Sequence, residues 1–295
     1  MLRKNIHFLV EGDRCAAWLY SPDESPPYPV IVMAHGFAGT RHIRLDAYAE
    51  RFADAGFAVL VFDYRHFGDS DGNPRQILDI NKQLADWREA VRTVRAMPEI
   101  DSARIALWGT SFSGGHVLMI ATEDEDIAAC ISQVPFIDGM ANARNVSLKL
   151  SLQFGVNALR DLARKWLNRK PLTVAAIGLP GSFAAITTPD AEVFQRLMIP
   201  PGIEWVNEVA ARIFLSIPRY RPGLHAGRVK CPLLFCLADN DAVTPIGPAL
   251  KAASMAPQAE VRRYPLSHFD IYVGEAFERA IADQIAFLKR HLINK

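Results

Sequence analysis

A chain of 295 residues, half of them hydrophobic and 22% charged, can bury a sizeable core, which fits a globular protein and argues against disorder. Its formal net charge is +1, so no global field draws it to nucleic acid or to an anionic membrane. The densest cationic stretch, residues 160–170, alternates with apolar residues and reads as a solvated helix face. Four cysteines, Cys15, Cys130, Cys231 and Cys236, are too few for a disulfide framework and read as buried free thiols. Cys231 and Cys236 have no companion ligand pair, so no metal site is expected. The first ten residues lack the apolar stretch of a signal peptide, and no segment reaches membrane-spanning length. A cytoplasmic protein with no membrane partner is the expectation.

Short β-like runs come first. Residues 5–10 and 15–20 flank Glu11-Gly12-Asp13, a turn signal, and predict an antiparallel hairpin. Beyond a Pro-rich connector, residues 30–34 form an apolar run of the kind buried on both faces of a parallel sheet. Residues 45–55 have helical spacing and stop at Gly56. A second buried strand is expected at 57–62, a helix at 81–97 ending before Pro98, and a third strand at 104–108. A helix over 113–121 and a fourth strand over 127–134 follow. After a long interruption, residues 232–237 and 260–264 supply two further strands, and an amphipathic helix over 276–292 closes the chain. This alternation predicts an α/β fold, a mostly parallel sheet with helices on both faces and an antiparallel hairpin in front.

The interruption, residues 136–222, carries helix-like stretches at 146–166, 190–197 and 203–214 joined by Pro- and Gly-rich turns, and no clear buried strand. A connection that long is rarely a bare loop. It is expected to be an inserted helical cap, with residues 1–135 and 223–295 as the core.

The chemistry is concentrated in Gly109-Thr110-Ser111-Phe112-Ser113-Gly114-Gly115, where a buried strand ends, small residues crowd and a helix begins. A sharp strand-to-helix turn of this kind is a nucleophile elbow, and the residues two before and two after the nucleophile must be small. Ser111 has Gly109 and Ser113 as its small flanks; Ser113 would have Ser111 and Gly115. Ser111 sits where the elbow should, three residues beyond Trp108, and is the expected nucleophile, with a Ser where Gly is commonest. A phosphate-loop reading fails because Gly115-His116 stands where Lys-Ser/Thr is required. The bland alternative is that the small residues only let a helix pack on the sheet.

A serine hydroxyl needs a base, and in this architecture the acid and then the histidine follow it in the chain. Asp239-Asn-Asp241 directly follows a buried strand; Asp241 is the expected acid, because Pro245 then opens the next helix in phase, with Asp239 second. His268 lies between the last strand and the last helix and is the expected base, with Asp270 a fallback acid. Residues His35-Gly36-Phe37 follow the first buried strand. There the backbone N–H of Phe37 would join that of Phe112 in an oxyanion hole. His35 is expected to brace this loop, and His42, His66 and His116 are assigned no role.

Taken together, His35-Gly-Phe, Asp63-Tyr-Arg-His-Phe-Gly-Asp-Ser70, Gly109-Thr-Ser-Phe-Ser, Asp239-Asn-Asp and His268-Phe-Asp-Ile-Tyr resemble the α/β-hydrolases, in the bacterial branch of dienelactone hydrolases and X-Pro dipeptidyl-peptidase-like esterases. The resemblance implies a serine hydrolase that forms an acyl-enzyme and needs no metal or organic cofactor. Its substrate would be a small-molecule carboxylic ester, or a thioester. X-Pro peptidase, amidase and acyltransferase activities use the same triad and stay open. A cofactor-free haloperoxidase or a non-catalytic binding protein is less favoured, the latter because no triad member is missing; a dehalogenase would need Asp at the elbow. A homodimer is compatible with the sequence, and nucleic acid is not an expected partner.

Overall fold

The computed structural model describes residues 1–293. Strands β1 (Leu2–Val10) and β2 (Asp13–Ser21) pair antiparallel with Val10 opposite Asp13, leaving Glu11-Gly12 as the whole turn. Both turn residues have positive φ, 52° and 92°, the two-residue geometry whose twist matches that of its strands. Next come β3 (Tyr28–Ala34), α1 (Leu45–Asp54) and β4 (Ala58–Phe62). Helix α1 buries Leu45, Tyr48, Ala49 and Phe52, one stripe at helical spacing. Helix α2 (Ile80–Arg95) is capped by Asp79, whose carboxylate accepts the amides of Asn81 and Lys82. Strand β5 (Ile100–Thr110), helix α3 (Phe112–Glu123) and β6 (Ala129–Gln133) complete the first part.

Between β6 and the next sheet strand, residues 136–222 form α4 (Gly139–Arg144), α5 (Leu148–Trp166), β7 (Thr173–Ile177), β8 (Ala184–Ile186), the single turn α6 (Ala191–Val193) continuing as a π-helical turn, and β9 (Val209–Ala210). The insertion is therefore not wholly helical. β8, β7 and β9 make a small sheet of their own, and the helix expected over 203–214 is instead extended chain followed by a 3-10 turn. The side-chain amide of Asn207 explains this. It accepts from the Ile177 N–H (2.9 Å) and donates to the Ile177 carbonyl (2.7 Å), continuing the β7 ladder where a helix would have turned away.

The chain returns to the main sheet with β10 (Leu233–Ala238), α7 (Ile246–Met255), β11 (Ala259–Tyr264) and α8 (Gly274–Leu288). The main sheet has eight strands in the order β1-β2-β4-β3-β5-β6-β10-β11, parallel from β4 to β11. Strand β4, β6, β10 and the last six residues of β5 are buried throughout, as strands covered on both faces must be. Helix α1 lies beside α8, and α2 beside α3. The four cysteines are free and buried. No helix among the described residues is long and apolar enough to cross a membrane.

Candidate active site

Because β3, β5, β10 and β11 run parallel, the loops that follow them emerge at one edge of the sheet, and these loops carry the expected residues. Ser111 ends β5 in a conformation rare for a residue with a side chain, φ 54° and ψ −120°. Such backbone strain, about 1–3 kcal/mol, must be held by its surroundings. Here three backbone bonds do so: Ser111 N–H donates to the Gln133 carbonyl (2.9 Å), and the Ser111 carbonyl accepts from Gly114 (2.9 Å) and Phe136 (2.8 Å). Gly109 is obligatory, since a Cβ there would lie 2.3 Å from the Ser113 carbonyl oxygen.

The two candidate serines are placed differently. Ser113 is fully buried, and its hydroxyl lies 2.9 Å from that of Tyr64, which also accepts from the Trp87 indole (2.7 Å). The extra room that Ser113 needs over glycine is filled by this contact. Ser111 Oγ instead donates to His268 Nε2 at 3.1 Å, and His268 Nδ1 donates to Asp241 Oδ2 at 2.7 Å. A carboxylate can only accept, so the imidazole proton sits on Nδ1 and leaves Nε2 free for the serine.

Asp241 is fixed from its other side. Its Oδ1 accepts from the amides of Val243 (2.9 Å) and Thr244 (2.6 Å), while the Thr244 hydroxyl lies 2.8 Å from Oδ2 and 3.0 Å from the Val134 carbonyl. Asp239 points elsewhere and pairs with Arg263 (2.7 Å); Asp270 accepts from the Ser267 amide. The His268 loop is pinned by Tyr272, whose hydroxyl bonds that of Thr110, the residue before Ser111. Thr110 in turn accepts from Gln133, which accepts from Gln284, which accepts from the Trp108 indole. This buried chain of amides and hydroxyls locks the serine and histidine loops to one another.

Gly36 touches Ser111: a Cβ there would come within 2.9 Å of Ser111 Cβ. This brings the following residue, Phe37, beside Ser111, with its ring edge-on to that of Phe112 at 5.8 Å. Phe112 is the first residue of α3, so its amide has no acceptor within the helix. His35 braces the loop through a 2.9 Å contact between Nδ1 and the Gly36 carbonyl, and burial lowers its pKa. His116 is buried between the Tyr220 hydroxyl (2.6 Å) and Gln83 (2.9 Å), and burial lowers its pKa to about 3.

Two cavities meet at Ser111. One, of about 40 Å³, lies between His35, Gly39, Met198 and His268. The other, of about 440 Å³, is bounded by Phe136, Phe154, Phe214 and Val243, and is of the size that takes a small organic molecule. No Asp or Glu lines either cavity. No cluster of His, Cys, Asp and Glu suited to a metal ion occurs among the described residues.

Two contacts from the insertion were not foreseen. The Trp205 indole donates to the Ala38 carbonyl (2.8 Å), and Asp190 accepts from the Phe269 amide (3.1 Å). The insertion thus holds both the Phe37 loop and the His268 loop.

The sequence profile of the X-Pro dipeptidyl-peptidase (S15) family matches residues 11–178, more than half of the chain. The chain belongs to that family. The matched segment of this S15 chain runs from the hairpin turn through the Gly36 loop and the Ser111 elbow to the end of β7. The quorum-quenching protein AidA of Acinetobacter baumannii is 47% identical to it over 286 residues, covering 97% of this chain and 94% of that one. Thiohydrolase aneE of Aspergillus aculeatus is 39% identical over 317 residues, covering 98% and 94%. The crystal structure of the α/β-hydrolase GrgF from Penicillium sp. sh18 superposes with a TM-score of 0.85 at 23% identity over 99% of each chain. The S15 chain thus has the α/β-hydrolase fold.

Proposed function

We propose that the chain is a serine hydrolase that cleaves a carboxylic ester or thioester through an acyl-enzyme. The observation that carries this reading is the unbroken line from Ser111 Oγ to His268 to Asp241, at 3.1 and 2.7 Å. In this reading Ser111 attacks the carbonyl carbon as His268 Nε2 takes its proton, and Asp241 holds the imidazole's orientation and balances its positive charge. The amides of Phe37 and Phe112 receive the oxyanion, each donor worth roughly a hundredfold to a thousandfold in rate. His268 then gives its proton to the leaving group and activates the water that frees Ser111.

Residues 136–222 act as a cap domain on a core of 1–135 and 223–295, and the 440 Å³ lobe between them takes the bulky apolar part of the substrate. An ester is favoured over an X-Pro peptide because a free amino terminus calls for a carboxylate, and neither lobe offers one. The 39% identity to a thiohydrolase supports a thioester as the second substrate type.

The test is labelling by a fluorophosphonate together with turnover of a p-nitrophenyl ester. Both are expected to vanish in Ser111→Ala and to persist in Ser113→Ala. Undiminished turnover in Ser111→Ala overturns the reading. Addition of an alcohol or thiol acceptor, with product analysis, shows whether the acyl group goes to water or is transferred.

A further inference from the structure

Helix α5 buries Phe154, Ala158 and Asp161 on one face. On the opposite face Leu148, Leu152, Val156, Leu159 and Trp166 recur at intervals of four, four, three and seven, and Leu167 closes the row. All six face solvent; Leu148 is 77% and Trp166 76% exposed. A 19-residue helix is about 28 Å long, so this is a continuous apolar ridge rather than scattered surface leucines. Lys149, Arg160 and Arg164 flank this row along one side, and Arg144, Lys165, Arg169 and Lys170 lie in the same segment, with Asp161 the sole carboxylate between residues 144 and 170. Asp161 is buried and bonded to Arg212. None of the seven cations forms an ion pair among the described residues.

We infer that this face of α5 seats the protein on an anionic lipid surface. An apolar row with Trp and Leu, bordered by Lys and Arg, is the pattern of a helix lying in a headgroup region. A second copy of the chain fits poorly, because it would set a like-charged helix against this one. A convex ridge also offers no groove for a folded partner. The whole-chain charge of +1 conceals this local excess, which is why no membrane association is expected from composition. The inward side of the same helix, at Leu150, Phe154 and Gly155, lines the large lobe, so a lipid surface would lie alongside the substrate chamber.

The test is co-sedimentation of the full chain with phosphatidylcholine vesicles with and without phosphatidylglycerol, at low and high salt. Binding is expected to require the anionic lipid, to fall with salt, and to shift the Trp166 emission to the blue. Leu152→Asp with Leu159→Asp is expected to weaken partitioning roughly tenfold or more. Lys149→Gln with Arg160→Gln is expected to weaken it about 25-fold, at about fivefold per charge removed. Turnover of a short soluble ester should be unchanged in both pairs. The inference is overturned if anionic vesicles bring down no protein, or if both variant pairs bind like the wild type. It is also overturned if sedimentation velocity shows a dimer that Leu152→Asp with Leu159→Asp dissociates. The assay reads binding alone, so its failure leaves the role of Ser111 untouched.

Discussion

Replacing Asp241 by asparagine tests the proton arrangement without disturbing the shape of the site. The Oδ1 position faces two amide N–H groups, from Val243 and Thr244, so the asparagine must keep its oxygen there. Its NH2 then occupies the Oδ2 position, 2.7 Å from His268 Nδ1. Two N–H groups cannot face each other, so the imidazole proton is driven to Nε2, where it blocks acceptance from Ser111. The expected loss in kcat is about 10⁴-fold, or ~5.5 kcal/mol of transition-state stabilisation, with little change in melting temperature. The measurement is p-nitrophenyl ester turnover across pH, with Asp239→Asn as control. Asp239 is engaged by Arg263 at the surface, and its loss should move kcat by no more than about twofold. An Asp241→Asn variant within tenfold of wild type refutes the arrangement.

Further outcomes follow from other contacts. Gly36→Ala forces a methyl within 2.9 Å of Ser111 Cβ; a displacement of this size should lower kcat about 100-fold with a small change in stability, and an unaltered kcat would mean that the loop does not serve the oxyanion. At Gly155, which lines the large lobe, an added Cβ meets nothing within 4 Å. Gly155→Phe is therefore expected to fold and to cut kcat/KM for an octanoate ester roughly tenfold more than for an acetate ester; equal losses would place the acyl chain elsewhere. His116 stays neutral in the folded protein down to about pH 3, while in the unfolded chain it protonates below its ordinary 6.5. The unfolded state thus binds the extra proton in that window, and stability falls with acidification by ~1.4 kcal/mol per pH unit from this group. Urea unfolding at pH 7 and pH 5 should show a shallower loss for His116→Gln than for wild type; parallel slopes would refute the assignment.

The strands that aim the site were legible because they are long apolar runs closed by small or polar residues, as in Val30–Ala34 and Leu233–Ala238. Ser111 and Asp241 were legible as candidates because each follows such a strand, and His268 because it comes after the last strand, third in the order that triad chemistry requires. What supports them was not. Thr244 beneath Asp241, Tyr64 against Ser113 and the Trp108–Gln284–Gln133–Thr110 chain are meetings of side chains far apart in sequence, and an isolated Gln or Thr carries no periodic signal. The small sheet leaves no mark in the sequence because its strands have five, three and two residues, too short for an alternation to emerge. The segment from 203 to 214 read as helix because its apolar spacing is ambiguous, and one side-chain amide, at Asn207, decided the outcome.

Trp205 and Asp190 bear on any attempt to replace the segment between β6 and β10. Because those two side chains suture the insertion to the Phe37 and His268 loops, a transplanted insertion would bring new selectivity only if it carried an indole and a carboxylate at the same two stitches. A graft lacking them is expected to produce a protein that folds and fills its pocket yet turns over slowly.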